Sequence, residues 1–357
     1  MFQRSLNAAR CWTVNQRDSE AGGEFMPQRD IIVIGGSAGS IKSLRTVVSR
    51  LPGTLPVAVF VVVHRTSLER SWLGQVLNRV GALSAAEACD GEPISQGRIY
   101  VAPSDSHLLI AEGHVHLTHG PKEGLHRPSI NVTFRSAARA YGNRVAGVLL
   151  SGMLDDGASG LWEIVHRGGV SIVQHPDEAE FPSMPLVALK DVPINYKLSS
   201  VEIGDELCRL ATQSAPVQPA ETSFVNEVSL ERFSGFTCPE CRGPLYEHRA
   251  EPLEFKCRVG HVFPLRTLLQ ETAATQERKM YEAVVSLEEG TDLAEQAAEQ
   301  ADPDDRERFL AEAKQLRECA LTIKKLIEKR RAFSATCDSN PDFPPREAAE
   351  EKARERF

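Results

Sequence analysis

Three separated segments of the chain carry a serine, a histidine and two aspartates, the residue types that perform nucleophilic hydrolysis. Ser37 lies among glycines, His64 ends a long apolar run, and Asp155 and Asp156 follow another apolar run. A serine hydroxyl becomes an effective nucleophile when a histidine takes its proton and an acid orients that histidine. The three segments therefore predict a serine hydrolase, provided that the fold brings them together.

The serine stands where a strand meets a helix. The strand-like run Asp30–Ile34 opens into Gly-Gly-Ser-Ala-Gly-Ser, and a helical pattern follows over Ile41–Arg50. Such a turn lifts the hydroxyl clear of the sheet, and the amides at the start of the helix can stabilise negative charge. A dinucleotide-binding turn would need glycines at 35, 37 and 40, whereas this chain has Gly35, Ser37 and Ser40.

The histidine and the acids also stand at strand ends. Residues 56–63 are almost unbroken Val, Ala and Phe, which predicts a central strand buried on both faces, and residues 145–150 form a second apolar strand. Open α/β sheets place their sites at such carboxyl ends. His64 can also simply cap its strand and hydrogen-bond a loop. An aspartate before a helix is most often an N-cap, so we expect one of Asp155 and Asp156 to have only that role.

The wider pattern alternates between strands and helices. Strands are predicted near residues 30–35, 57–63, 98–102, 145–150 and 170–174, and helices include 67–79, 130–142 and 157–168. This alternation predicts an α/β fold with a doubly wound, mostly parallel sheet and helices on both faces. A paired run over residues 108–118, with a turn at Glu112-Gly113, predicts a hairpin that interrupts the alternation.

From about residue 30 to 200 the chain resembles the catalytic domain of the CheB-type chemotaxis protein-glutamate methylesterases. The segments that carry the resemblance are I-G-x-S-x-G at 34–39, S-G-M-x-x-D-G at 151–157, and the longer stretches at 97–108, 127–136 and 184–185. The resemblance implies that Ser37 is the nucleophile, His64 the base and Asp156 the triad acid. Asp155 then falls at a variable position and is the bystander.

Two positions depart from the pattern of that family. Ser40 stands where the family usually has a second glycine, and we expect it to cap the helix that follows. Asn131 stands where the family usually has aspartate, and we expect it to remove a charge near the substrate entry. No triad position departs.

The resemblance also implies a reaction and its partners. It implies hydrolysis of γ-carboxyl methyl esters of glutamate on methyl-accepting chemotaxis receptors, in two-component signalling, and also deamidation of glutamine side chains, with no cofactor needed for catalysis. We expect the backbone amides near Ala38 and Met153 to form the oxyanion hole, because both loops lie at the same sheet edge. The 29 residues before the first strand are too few for the receiver domain that CheB proteins commonly carry, so we expect regulation of another kind. The alternative is a non-catalytic signalling scaffold.

A second cluster of chemistry-bearing residues lies near the other end of the chain. Cys238 and Cys241 have C-x2-C spacing, and Cys257 and His261 follow after fifteen residues. These four ligands can complete a tetrahedral zinc site, which is structural because no position stays open for water. The alternative is cysteines buried as small apolar residues. The same segments resemble a zinc-ribbon-like module behind some CheB-like proteins.

Five histidines near the predicted hairpin do not match a familiar ligand pattern, and we favour solvated or structural roles for them over metal binding. They are His107, His114, His116, His119 and His126.

The remaining segments complete the predicted organisation of the chain. The predicted units are an extension at 1–29, a catalytic domain at 30–205, a linker at 206–232, the zinc module at 233–265, a helical hairpin at 266–333 and a tail at 334–357. We expect the extension and the tail to be disordered. An apolar seam on the second hairpin helix, from Phe309 to Ile327, favours packing within the hairpin over dimerisation.

Composition excludes several classes of protein. The net charge of -8 and pI near 5.8 argue against nucleic acid and anionic membrane surfaces as partners. No apolar run reaches the roughly 18 residues that a membrane span needs, and the first 29 residues lack the apolar stretch of a secretory signal. The other five cysteines are scattered, which fits a reducing cytoplasm.

Overall fold

The structure is a computed structural model that describes residues 29–65, 72–213, 232–249 and 252–337. The predicted N-terminal extension up to residue 28, most of the predicted linker, and the end of the predicted tail lie outside the described residues. So does the start of the helix predicted over 67–79.

The first part of the chain folds around nine strands and six helices. The strands are β1 (Ile31–Gly36), β2 (Ala58–Val63), β3 (Ser84–Glu87), β4 (Arg98–Val101), β5 (His107–Ala111), β6 (His114–Thr118), β7 (Val145–Leu149), β8 (Val170–Gln174) and β9 (Tyr196–Leu198). The helices are α1 (Ser40–Arg50), α2 (Leu73–Val80), α3 (Ile130–Tyr141), α4 (Ala158–His166), α5 (Ser183–Asp191) and α6 (Ser200–Thr212).

Seven of these strands form one parallel sheet in the order β3-β4-β2-β1-β7-β8-β9. The chain moves from β1 to β2 on one side of the sheet and later adds β7 on the other side of β1. The strand order therefore changes direction at β1. At such a point the connections after two neighbouring strands leave to opposite sides, which opens a crevice at the carboxyl ends of the strands. Doubly wound sheets carry their sites in this crevice. The predicted α/β sheet is confirmed.

Both faces of this sheet are covered. Alternate residues of β1 belong to two separate apolar clusters, with Ile32 and Ile34 in one and Ile31 and Val33 in the other. The first cluster includes residues of α1, α2 and α6, and the second includes residues of α3, α4 and α5 together with the β5-β6 hairpin. Burial on both faces explains why the central strands are almost wholly apolar.

Several elements escape the sequence prediction. The edge strands β3 and β9 have only 4 and 3 residues and carry exposed side chains, so they lack a clear apolar pattern. Helix α6 begins with a capping box formed by Ser199 and Glu202, a signal that is visible in the sequence. This helix continues to Thr212, which lies past the domain boundary predicted at residue 205.

A small antiparallel sheet follows, in the order β10-β11-β12-β13. Its strands are β10 (Arg232–Thr237), β11 (Pro244–Arg249), β12 (Glu254–Cys257) and β13 (Val262–Pro264). A compact apolar cluster includes Leu245, Phe255 and Phe263 from this sheet and Leu268 from the helix that comes next. We call residues 232–264 the cysteine module.

Two long helices complete the described chain, α7 (Leu265–Gln300) and α8 (Pro303–Cys337), and they form the helical hairpin that the sequence predicts. Ala313, Ala320 and Ile327 of α8 are buried, as are Val284 and Ala298 of α7. The two helices pack against each other, so the apolar seam of α8 packs on α7. Among the described helices, none has both the length and the apolar character needed to cross a membrane.

Candidate active site

The turn after β1 presents Ser37 at the crevice. The Ser37 amide donates to the Ser151 carbonyl at 3.0 Å, which ties this turn to the loop after β7. A Cβ atom added to Gly152 would lie 2.9 Å from the Ser37 Cβ, so only glycine allows the two loops to approach this closely. Gly39 has a φ of 71°, in the left-handed region that favours glycine.

Ser40 does not cap α1, contrary to our expectation. The N-cap position belongs to Gly39, and the Ser40 hydroxyl donates instead to the Ser37 carbonyl at 2.7 Å. This bond closes the turn around the candidate nucleophile.

The predicted triad residues lie in contact. His64 follows β2, and its Nδ1 is 3.1 Å from the Ser37 Oγ while its Nε2 is 2.8 Å from an Asp156 oxygen. The side chains of His64 and Asp156 are only 8% and 5% exposed. An ionised Asp156 accepts from Nε2–H, which leaves the lone pair of Nδ1 facing the serine hydroxyl. That tautomer can receive the serine proton.

Asp156 lies at the N-terminus of α3. Besides His64, its carboxylate accepts hydrogen bonds from the amides of Ile130 and Asn131 and from the Ser129 hydroxyl, at 2.8 to 3.0 Å. Burial alone would raise the pKa of Asp156, but the bonds and charges of His64, the charge of His126 and the Asn131 amide hold that pKa below its usual range. The group therefore stays ionised at neutral pH.

Asn131 is buried, and its Oδ1 accepts from the amides of Gly157 and Gly160 at 3.0 and 2.8 Å, at the start of α4. Asp156, which precedes α4, thus caps the N-terminus of α3, while Asn131 of α3 caps the N-terminus of α4. Hydrogen bonds in both directions therefore link the two helix starts. That Asn131 also removes a charge near the substrate entry stays a prediction.

Asp155 does not cap α4 either, although the sequence favours that role. Its carboxylate is buried and accepts from the hydroxyl of Thr267 and, at 3.4 Å, from the Thr267 amide in the first turn of α7. Burial raises the pKa of Asp155 to about 6, against the lowering effect of the Thr267 bonds. Asp155 therefore joins the catalytic unit to the C-terminal helices, a contact across 112 positions of sequence.

This raised pKa predicts a pH-dependent stability. Folded Asp155 keeps its proton up to about pH 6, whereas in the unfolded chain it ionises near its ordinary value of 3.8. The contribution of Asp155 to the free energy of unfolding is therefore largest below about pH 4 and falls by roughly 1 to 3 kcal/mol as pH rises through about 6. Asp155→Asn keeps an acceptor for Thr267 and removes this loss.

Chemical denaturation of both proteins at several pH values measures the effect. We expect Asp155→Asn to gain stability over the parent between about pH 4 and 6 and to keep a constant margin above that range. Asp156 and Arg266, the other charged groups that act on Asp155, are present in both proteins. A margin that does not change with pH would show that Asp155 does not titrate in this window.

The candidate oxyanion donors lie on the two loops that flank Ser37. Neither the Ala38 amide nor the Met153 amide donates a hydrogen bond within the described part of the chain. Other groups of their loops are held in place: the Ser151 hydroxyl donates to the Ala38 carbonyl at 2.8 Å, and the Phe181 carbonyl accepts from the Gly152 amide at 3.0 Å. The role of both amides remains a prediction.

Two of the five histidines lie close to the triad. His107 is buried, with its Nε2 2.9 Å from the Pro121 carbonyl and its Nδ1 accepting from the Ser129 amide at 3.3 Å, so it has the structural role that we favour. The His126 ring stacks on His64 with centroids 3.6 Å apart and planes 12° apart. The sequence gives no sign of that stack.

The Ser129 hydroxyl, which donates to Asp156, could have been found from the sequence. Ser129 follows a proline and precedes a helix, which is a capping signal.

The four predicted metal ligands form a separate cluster. The ligand atoms of Cys238, Cys241, Cys257 and His261 all lie within 4.8 Å of one another, the single such group in the described chain. The Cys241 and Cys257 sulfurs are 3.6 Å apart, and the His261 Nδ1 is 3.4 Å from the Cys257 sulfur and 3.8 Å from the Cys238 sulfur. A tetrahedron with Zn–S of about 2.3 Å and Zn–N of about 2.0 Å has edges of about 3.5 to 3.8 Å. The four residues fit a metal ion.

A hydrogen-bonded Ser-His-Asp set at the carboxyl edge of a doubly wound sheet defines an α/β protein with the constellation of a serine hydrolase. The profile of the CheB methylesterase family matches residues 32–207. A putative protein-glutamate methylesterase/protein-glutamine glutaminase of Leptospira interrogans is 34% identical over 182 residues, which cover 51% of this chain and 94% of that protein. The chain therefore belongs to the CheB methylesterase family.

Other relatives agree in the same region. The protein-glutamate methylesterase/protein-glutamine glutaminase of Symbiobacterium thermophilum is 36% identical over 188 residues, which are 52% of this chain and 52% of that protein. The crystal structure of the Thermotoga maritima CheB methylesterase catalytic domain shares 30% sequence identity and has a TM-score of 0.49, with 51% of this chain and 98% of that one covered. The matched half of the chain is the part that carries the triad.

Proposed function

We propose that residues 29–213 hydrolyse the methyl esters of glutamate side chains and deamidate glutamine side chains, the two activities in the names of the relatives. The observation that carries this proposal is the hydrogen-bonded set of Ser37, His64 and Asp156 at the sheet edge. The imidazole beside the serine hydroxyl and the carboxylate on the far side of the imidazole support the roles of nucleophile, base and acid.

The proposed reaction begins when the Ser37 oxygen attacks the ester carbonyl and its proton passes to the His64 Nδ1. Asp156 stabilises the imidazolium through Nε2–H, and the amides of Ala38 and Met153 donate to the carbonyl oxygen as it becomes negative. His64 then gives its proton to the leaving methoxide, so methanol departs and a glutamyl ester of Ser37 remains. Water, deprotonated by His64, attacks this ester, and His64 returns the proton to the Ser37 oxygen as the bond to the glutamate side chain breaks. A glutamine substrate follows the same path with ammonia as the leaving group.

We propose methyl-accepting receptor proteins as substrates and the cytoplasm as the location. Membership of the CheB family supports both. Cys89, Cys208 and Cys319 lie outside the metal cluster and are free thiols, which fits a reducing compartment.

Mass spectrometry of receptor peptides tests the substrate directly. Receptor-containing membranes, methylated beforehand, are incubated with the protein and digested. Loss of one methylene mass at methylated glutamates, and conversion of glutamine to glutamate, are the expected changes. Membranes incubated with Ser37→Ala are the control. Unchanged peptides in both samples would leave the non-catalytic scaffold as the better proposal, although the assembled triad gives that alternative little support.

We also propose that the cysteine module holds one structural zinc ion and forms a unit of its own beside the catalytic domain. Support comes from the closed set of four ligands and from the Cys241 amide, which points at the Cys238 sulfur at 3.5 Å and so supports a thiolate there. The helical hairpin of α7 and α8 forms the third unit of this division.

Metal analysis tests the zinc proposal. Protein purified under reducing conditions without chelator is expected to carry about one zinc per chain, and Cys241→Ser is expected to lose it. Cys319→Ser is the matched control, because Cys319 is exposed on α8 outside the cluster. Zinc-free wild-type protein would contradict the proposal.

A further inference from the structure

The cysteine module contacts a loop of the catalytic unit that ends at the triad. We call residues 119–127 the histidine loop. The Gly124 amide donates to the Val262 carbonyl at 2.7 Å, one residue after the ligand His261. Leu125 packs into the apolar cluster of the module together with the ligand Cys241 and with Leu253. The tip of this loop therefore packs against the module's core.

The same loop carries His126 to the active site. Glu123 and His126 exchange two backbone hydrogen bonds, at 3.0 and 3.3 Å, which close a tight turn. Gly124 and Leu125 inside the turn have φ values of 56° and 71°. Such a turn has little freedom, so the position of Leu125 in the module determines where the His126 ring meets His64.

Further contacts join the module to the helices that hold Asp156. Arg135 of α3 lies between Glu123 of the histidine loop and Glu254 of β12, with ion pairs to both. Arg249 of β11 pairs with Glu163 of α4 at 2.8 Å. Thr267 of α7 also contacts Asp155, the residue next to the triad acid. The C-terminal part of the chain therefore contacts the histidine loop, α3, α4 and Asp155.

We infer that metal binding by the cysteine module positions His64 through the histidine loop, so that metal occupancy sets the rate of the hydrolase. This inference deepens the proposed function and rests on it. The metal fixes the segment Cys257–His261, which fixes Val262. Val262 and the apolar cluster fix Gly124 and Leu125, and His126 then holds the imidazole of His64 flat against it. The sequence separates the catalytic domain at 30–205 from the zinc module at 233–265, and these contacts join the two units.

Metal removal from the full-length protein is the first arm of the test. After dialysis against EDTA, hydrogen exchange of the Gly124 amide and its neighbours is expected to rise at least about 10-fold, because the acceptor at Val262 is lost. The kcat for p-nitrophenyl acetate is expected to fall about 10- to 100-fold with little change in KM, since misplacing a catalytic group by about 1 Å costs rates of this size. Added zinc should restore both quantities.

Variants that keep all four ligands form the second arm. Leu125→Ala removes the loop's side chain from the apolar cluster, whereas Leu269→Ala removes an exposed leucine of α7 that lies outside this cluster. We expect Leu125→Ala to retain its zinc yet to show the faster loop exchange and the lower kcat. Leu269→Ala should retain zinc, loop protection and kcat.

His126 is tested as a positioning residue by rescue. His126→Ala removes the stacked ring and is expected to lower kcat about 10-fold at unchanged KM. His126→Phe restores a flat ring against His64 and should recover most of the rate. Failure of the phenylalanine to rescue would show that stacking is not how His126 acts.

The outcomes separate this inference from the proposed function. Unchanged loop exchange and unchanged kcat after zinc removal would overturn the inference while leaving the hydrolase intact. If instead the zinc-loaded protein hydrolyses no ester and a fluorophosphonate does not label Ser37, the proposed function fails. The exchange of the loop amides then still decides whether the module holds the histidine loop.

Discussion

Ser37→Ala is expected to lower kcat by roughly 10⁴ to 10⁶ and to leave the fold intact. Ser37 is only partly buried, and its backbone amide keeps the bond to Ser151 whatever the side chain is. His64→Ala should have about the same effect, because the hydroxyl without its base is a weak nucleophile. The measurement is turnover of a small ester, with circular dichroism to check the fold.

The double variant distinguishes a shared mechanism from two independent effects. Since Ser37 and His64 act in one step, removing the second after the first should cost little more. Ser40→Ala is a matched control for the turn, because it removes the bond to the Ser37 carbonyl and no triad atom. Losses that multiply in the double variant would contradict the assignment of both residues to one triad.

Asp156→Asn is expected to lower kcat by about 10⁴, because an amide side chain cannot hold the histidine tautomer that the carboxylate selects. We expect a larger loss because the carboxylate also accepts hydrogen bonds from two backbone amides. The side-chain nitrogen of an asparagine at this position would face the amides of Ile130 or Asn131, which are also donors. Turnover and thermal stability are measured together, since the cap of α3 is weakened as well.

The neighbouring acid provides the control for this experiment. Asp155→Asn keeps an acceptor for Thr267 and leaves every contact of Asp156 in place, so we expect turnover within a few-fold of the parent. A large loss at Asp155 with little loss at Asp156 would mean that the roles of the two acids are reversed.

The catalytic constellation and the sheet are predictable from the sequence for the same reason. The apolar runs that form β1, β2 and β7 end directly before Ser37, His64 and the loop of Asp156. Parallel strands bring their carboxyl ends to one edge, so strand prediction alone places the three side chains together. Helix ends and short edge strands have weaker apolar patterns. The sequence therefore does not predict the short edge strands β3 and β9.

The sequence does not reveal the contacts between elements that are distant along the chain. The sequence predicts only that Asn131 removes a charge near the substrate entry. In the structure its side-chain oxygen accepts two hydrogen bonds at the start of α4. Asp155 is predicted as a local helix cap, but its partner is Thr267. Nothing in local propensity or periodicity pairs residues at such separations, because these pairs depend on the tertiary packing of elements that are distant along the chain.

The same limit applies to the histidine loop. The spacing of Cys238, Cys241, Cys257 and His261 predicts the metal cluster, and the structure brings those four together. That this cluster packs against Leu125, one residue before the ring that stacks on His64, depends on the docking of the module. The contact on which we base the inferred regulation is visible only in three dimensions.

Release of labelled methanol tests the central claim most directly. Receptor-containing membranes carrying radioactive methyl groups are incubated with the zinc-loaded protein, and volatile label is collected over time. We predict that the wild-type protein releases methanol catalytically, well beyond one equivalent per enzyme, and that Ser37→Ala releases only the background of untreated membranes. Equal release by the two proteins, or none above background by either, would contradict a glutamyl methylesterase that acts through Ser37.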